Sequence, residues 1–159
     1  MKLLSLEQPY ASLIAIGLKQ WVSHSWRTSY RGPLVIHANV ADARFGAALR
    51  RRPWVEAALA RAGFPPDAEL PHGAVVAIGQ LVACLPADRA ELSARELELG
   101  DYSDGRFAWR LESMRRLAQP VPRRGRVGLW EWPGAERMME AAQPVAGSLC
   151  SPERARLGR

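Results

Sequence analysis

Residues 17–34 read GLKQWVSHSWRTSYRGPL, and they join one apolar run, ASLIAI, to a second, LVIHA. Connectors between two elements are normally built of small, polar turn formers. This one carries a lysine, two tryptophans, a histidine, two arginines, a tyrosine and several hydroxyls. Gly17 is placed to end a short helix whose apolar side is Leu13, Ile14, Ile16 and Leu18, and Pro9 suits the first turn of that helix, where its missing N–H costs nothing. From Trp21 to Trp26 the chain alternates: Trp21, Ser23 and Ser25 face one way and Val22, His24 and Trp26 the other, which is a strand period. Arg31-Gly32-Pro33 then turns the chain into a buried-looking strand over residues 34–38. Side chains of this bulk and hydrogen-bonding capacity, held between a helix and two strands, read as a binding surface.

Working outward, residues 2–6 read as a strand and residues 42–62 as helix, interrupted at Pro53, which starts a second helix better than it sits inside one. The run GAVVAIGQLVACL, residues 73–85, is a long strand in which Gly79 marks a bulge or a close approach. A short helix is expected over 93–99, then the turn-rich loop GDYSDGR, then strands over 107–111, 116–121 and 127–132. Short strands with helices inserted between the early ones predict an α+β protein around a small, mostly antiparallel β-barrel. Residues 1–132 form the domain on this reading. Residues 133–159 lose periodicity and turn polar, which predicts a mobile tail with a short helix near 137–141.

With 159 residues, the chain is long enough for one self-sufficient core. Its net charge of +6 favours an anionic partner, nucleic acid above all. Of 22 basic residues only Lys2 and Lys19 are lysines. An ammonium is compact and shifts its pKa on burial, whereas guanidinium stays protonated, so Lys19 reads as a position that needs lysine. Cys84 and Cys150 are too few and too differently placed for a disulfide framework or a cysteine zinc site. The opening MKLLSL is cut short as an apolar run by Glu7, Gln8 and Pro9, and no segment has bilayer-spanning length, so a soluble, cytoplasmic protein is expected with no membrane partner.

The stretch LSLEQPYASLIAIGLKQWVSHSWRTSYRGPLVIHA resembles the opening of an ASCH domain, of the group related to the activating signal cointegrator. LPHGAVVAIGQLVACLP resembles that family's central strand, GDYSDGRFAW its substrate-side loop and PVPRRGRVGLWEW its closing strands, in unbroken order over residues 1–132. The resemblance implies a PUA-like barrel with a cleft beside the G-x-K turn and RNA or other nucleic acid as ligand. Some small members similar to it are RNA-processing enzymes: an amidohydrolase acting on acetylated cytidine, and a ribonuclease. In the amidohydrolase the lysine works with a threonine three residues on and a glutamate from the central strand. Lys19 matches the lysine, but Val22 and Gln80 stand at the partner positions, and His24 stands where arginine is usual.

Proton transfer needs groups that titrate within reach of the reacting atom, and neither Val22 nor Gln80 can. Binding therefore ranks ahead of catalysis. A nucleic-acid site would take Lys19, Tyr30, Arg31, Tyr102, Ser103 and Arg106 around the cleft, with Gln8, Ser12 and Gln80 orienting a base or nucleoside. Several have a plainer alternative: Lys19 as a cation at a helix C-terminus, Arg31 as half of an ion pair, GDYSDGR as a well-formed turn. Trp26 could stack on a base or pack in the core. His24 more often fills a core position than acts as acid or base. A catalytic site, if present, would use Lys19 with Asp101, Asp104 or His24. His37 and His72 lack ligand spacing to a third group, so no metal and no cofactor are expected. The densest basic clusters are Arg50-Arg51-Arg52 and Arg123-Arg124-Gly125-Arg126, which would track a phosphodiester backbone if they shared the face of the cleft. The ligand expected is RNA or single-stranded DNA, or a nucleoside or nucleotide; the alternatives are a small hydrolase or a protein-interaction module docking through Met138 and Met139.

Overall fold

Strands covered on both faces run through the middle of this protein, and their sequence is correspondingly mostly apolar, with Ser5 and His37 the polar exceptions within residues 3–6 and 34–38. In β1 (Lys2–Gln8) Leu3 and Leu4 are both buried, and in β3 (Gly32–Asp42) every residue from Leu34 to Ala38 is buried. Successive strand residues point to opposite faces. Leu4, Leu6, Leu34, Ile36 and Ala38 accordingly join one apolar cluster, while Leu3 and Val35 join a second with Val75, Ile78, Leu117 and Trp132. The computed structural model describes residues 1–138 and the backbone of Ala142–Pro144.

Further elements are α1 (Tyr10–Ala15), β2 (Trp21–His24), α2 (Gly46–Arg50), α3 (Pro53–Arg61), β4 (Ala74–Pro86), α4 (Ala94–Glu98), β5 (Phe107–Pro122), β6 (Leu129–Glu131) and β7 (Ala142–Pro144). The strands make a mixed sheet in the order β2-β5-β4-β3-β1-β6, with β7 paired to β5 off this path. Among the described residues only β1–β3 is parallel; every other pair is antiparallel. The protein is thus α+β with small helices and a mostly antiparallel sheet. Its six-strand path is not closed into a barrel, and β2 and β6 are its two ends.

Helix α1 lies against this sheet with Ala11 to Ala15 all buried, and a third apolar cluster, Leu13, Leu49, Val55, Leu59, Leu70 and Leu99, ties it to α2, α3 and α4. Pro53 opens α3 at its first turn, as the sequence predicts, and the 42–62 segment is two helices. Gly79 is a close-approach point: a Cβ there would come within 2.1 Å of Met114 Sδ. The two strands expected over 107–111 and 116–121 are instead one long strand, β5. It bends through register shifts against β4 and through Ser113, whose φ of 52° disrupts the alternation locally. Beyond Trp132, a 3-10 turn over Ala135–Met138 buries Ala135 beside Met1 and Trp132, and the backbone of Ala142–Pro144 adds β7. Met139, Cys150 and the remainder of the 133–159 segment lie outside the described residues.

Candidate functional site

The turn after α1 sets the position of Lys19. Gly17 adopts φ +79°, and the amides of Leu18 and Lys19 both donate to the carbonyl of Leu13, at 2.9 and 3.1 Å. This wraps the GLK turn around the helix end and sends the Lys19 side chain inward, where it is 3 % exposed. Its ammonium does not return to the helix carbonyls. It donates to Glu96 Oε1 at 2.7 Å and to the Tyr102 hydroxyl at 2.9 Å.

Glu96 comes from α4. Ser93 caps that helix by accepting from the Glu96 amide at 3.1 Å, and the Glu96 carboxylate also accepts from the Gln20 amide at 3.1 Å and lies 3.1 Å from the Tyr102 hydroxyl. Two charges taken from water in this way remain charged only when paired and hydrogen-bonded. Burial pulls the Lys19 ammonium below the usual lysine range, with the Glu96 charge opposing. Burial, then Glu96, pushes the Tyr102 phenol up, so it serves as a neutral hydroxyl. An ammonium has three donors; two are engaged, and Lys19 borders a cleft on its remaining side.

That cleft has a volume of about 610 Å³ and lies between the two ends of the sheet path. One side is β1 from Leu4 to Glu7 with the 125–128 segment, the other is Val22, Ser23 and His24 of β2 with Trp26, and Tyr10, Lys19, Asp101 and Arg106 are among the remaining lining residues. Arg106 is oriented by β2: its Nε donates to Ser23 Oγ at 2.7 Å and its Nη2 to the Ser23 carbonyl at 3.3 Å, with Asp101 Oδ2 at 3.7 Å. Hydrogen bonds from Ser103 hold the Asp101 carboxyl below its ordinary range. Trp26 stands edge-on to buried Trp109, with ring centroids 4.5 Å apart, yet keeps 37 % of its surface exposed. It therefore both packs and faces the cleft. His24 lies 5.0 Å from Trp26 and 4.5 Å from Trp109, ring to ring; burial, then the Arg106 charge, lowers its pKa to about 4 and keeps it neutral.

Of the residues singled out in the sequence, Lys19, His24, Trp26, Asp101 and Arg106 meet at this cleft, with Tyr102 directly behind Lys19. Others lie elsewhere for identifiable reasons. The Tyr30 hydroxyl donates to the Pro33 carbonyl at 2.5 Å, folding the ring over Gly32, and Arg31 donates to the carbonyls of Thr28 and Tyr30 at 3.1 and 2.7 Å. Gln8 is fully buried and binds Ser12 Oγ at 2.9 Å and the Pro71 carbonyl at 2.5 Å, so both side chains brace α1 against a loop. Gln80 sits in β4 opposite Glu112 and Pro33. Ser103 and Asp104 are exposed and outside the cleft lining.

The two arginine clusters part company. Arg50 donates to the carbonyls of Pro65 and Ala68, and Arg52 pairs with Glu98 at 2.5 Å, both away from the cleft. Arg126, by contrast, lines it. Among the described residues no group of three or more His, Cys, Asp or Glu side chains could hold a metal, and no helix is long and apolar enough to cross a membrane. Sequence reasoning missed Glu96, because Ser93-x-x-Glu96 reads as a capping box on a solvated helix; the cap is made, but the carboxylate turns inward to Lys19. Compared with protein-family models and with curated proteins, the chain has no match.

Proposed function

We propose that this chain is an ASCH-type protein that binds RNA, or single-stranded DNA, in the cleft beside its GLK turn. The carrying observation is that Lys19, Arg106 and Trp26, from three separate segments, converge on one cleft of about 610 Å³. That volume suits a nucleotide-sized ligand, since small-molecule sites run to roughly 300–1,000 Å³. The exposed part of Trp26 offers a stacking surface for a base, a contact on the order of 1–3 kcal/mol. Two of the five N–H groups of Arg106 hold Ser23, which orients the guanidinium toward phosphate without consuming it. The cleft runs between β2 and the β1–β6 end of the sheet, so a PUA-like barrel is proposed in which the ligand site takes the place of the closing ladder. A free Cys84 thiol suits a reducing, cytoplasmic setting.

Titration of labelled single-stranded RNA at low and at high salt tests this reading. Wild type binds at low salt and weakens as salt rises; Trp26→Ala and Arg106→Ala each weaken binding about tenfold or more. Absence of binding at low salt defeats the proposal.

A second reading, a nucleoside-acting hydrolase, is favoured by the Lys19–Glu96 contact of 2.7 Å. Glu96 supplies the carboxylate that Val22 and Gln80 cannot, and burial lowers the Lys19 pKa towards a range useful for proton transfer. Incubation with acetylated cytidine, and with RNA, separates the readings: turnover by wild type that is lost in Glu96→Gln selects the enzyme.

A further inference from the structure

Between β5 and β6 the chain crosses the β1–β3 surface as a strap, residues 123–128. Its backbone is pinned at both levels beneath it. The Arg123 amide donates to the Gly73 carbonyl at 2.9 Å, and the Arg123 carbonyl accepts from His37 Nε2 at 2.8 Å. A carbonyl can only accept, so Nε2 carries the proton; Nδ1 then accepts from the Ser5 hydroxyl at 3.1 Å, the pattern of a neutral ring. Gly125 lies so close that a Cβ would meet His37 Cε1 at 2.5 Å. With the backbone held down, the side chains project. Arg123 lies over the rings of Trp132 and Trp130, at 4.6 and 5.6 Å, Arg126 lies over Trp130 at 5.4 Å, and Arg124 is exposed.

Here a second cavity, of about 680 Å³, opens between the strap and Trp130. It shares Gly125 and Arg126 with the cleft beside Lys19, so one guanidinium borders both. The strap itself, residues 123–128, holds three arginines and no acid, which gives this junction a local cationic edge, while Glu7 and Asp101 lie on the cleft beyond it. Guanidinium planes already set against tryptophan offer flat, charged faces on which bases stack, and exposed arginines meet phosphates. The geometry points to two consecutive subsites for a single-stranded oligonucleotide: one nucleotide in the cleft, its neighbour against Trp130 and Arg124, and the connecting phosphate at Arg126. The inference rests on the nucleic-acid reading above and extends it. The ligand is a strand of at least two nucleotides, and a mononucleotide fills only half of the site.

Fluorescence anisotropy with single-stranded RNA of one, two, four and eight nucleotides and mixed sequence tests this, at low and at high salt, on wild type and on Arg124→Ala. Affinity is expected to rise about tenfold or more from one nucleotide to four. Arg124→Ala is expected to narrow that gap and to make the salt slope of the eight-nucleotide RNA shallower by about 0.7, the share of one phosphate contact. A mononucleotide that binds as tightly as the longer strands overturns the second subsite while leaving the first reading in place. Failure of every RNA to bind at low salt sinks both. An unchanged salt slope in Arg124→Ala, or a poly-glutamate peptide that binds as well as the eight-nucleotide RNA, also overturns the inference.

Discussion

Replacing Glu96 by glutamine removes one charge from a pair that the fold has taken almost wholly out of water. Lys19 and Glu96 side chains are 3 % and 7 % exposed, and their contact is 2.7 Å. Breaking a buried pair from one side costs about 3–5 kcal/mol, because the remaining charge keeps its desolvation penalty and loses its partner. Lys19 retains the Tyr102 hydroxyl as a partner, so the low end applies: a loss of about 3 kcal/mol. In a domain of this size each kcal/mol moves Tm by roughly 2–4 °C, which gives a fall of about 6–12 °C. Thermal and urea unfolding at neutral pH read it directly. Lys19→Met costs a similar amount, and the double variant Lys19→Met with Glu96→Leu recovers most of either loss, because two apolar side chains carry no unpaired charge. Single variants that each cost under about 1 kcal/mol and simply add in the double would refute the buried pair.

Other consequences are open to equally simple measurements. Because His24 has a folded-state pKa of about 4, below its ordinary value of 6.5, the unfolded chain binds more protons between these limits. Stability therefore falls as pH drops from 6.5 towards 4, by up to about 1.4 kcal/mol per pH unit. His24→Phe flattens that part of the curve, and superimposable wild-type and variant profiles would contradict the assignment. Gly79→Ala drives a methyl into Met114 and the Glu112 carbonyl and is expected to cost about 1–3 kcal/mol in urea unfolding. An unchanged midpoint would mean that β4 and β5 are less tightly apposed than described. Gly125→Ala drives a methyl into buried His37, so it is expected to lower both Tm and oligonucleotide affinity; affinity equal to wild type would dissociate the strap from binding.

Much of the fold was legible because its signals are local. The unbroken run from Leu34 to Ala38 follows from burial on both faces, Gly17 ends α1 through a positive φ, and Pro53 starts α3 at a position where its lost N–H is harmless. The single long β5 was not legible, since Ser113 and the shifts against β4 interrupt its alternation, and continuity there is set by a partner strand distant in sequence. The site divides along the same line. Lysine scarcity and the aromatic turn led to Lys19 and Trp26, and the family resemblance of the GDYSDGR loop to Arg106, whereas Glu96, bonded to Lys19 from 77 residues away, carried only the local signature of a helix cap. Tyr30 shows the converse case: a residue of the right type in the right turn whose hydroxyl is consumed by a carbonyl three residues on.

Ultraviolet crosslinking of bound single-stranded RNA, with the adducts located by mass spectrometry, tests the central claim most directly. Adducts on Trp26 or Tyr10 and within residues 123–130 are the outcome expected from a ligand lying in the cleft and across the strap. Adducts confined to the Arg50–Arg52 side of the molecule, with none on these residues, would contradict it.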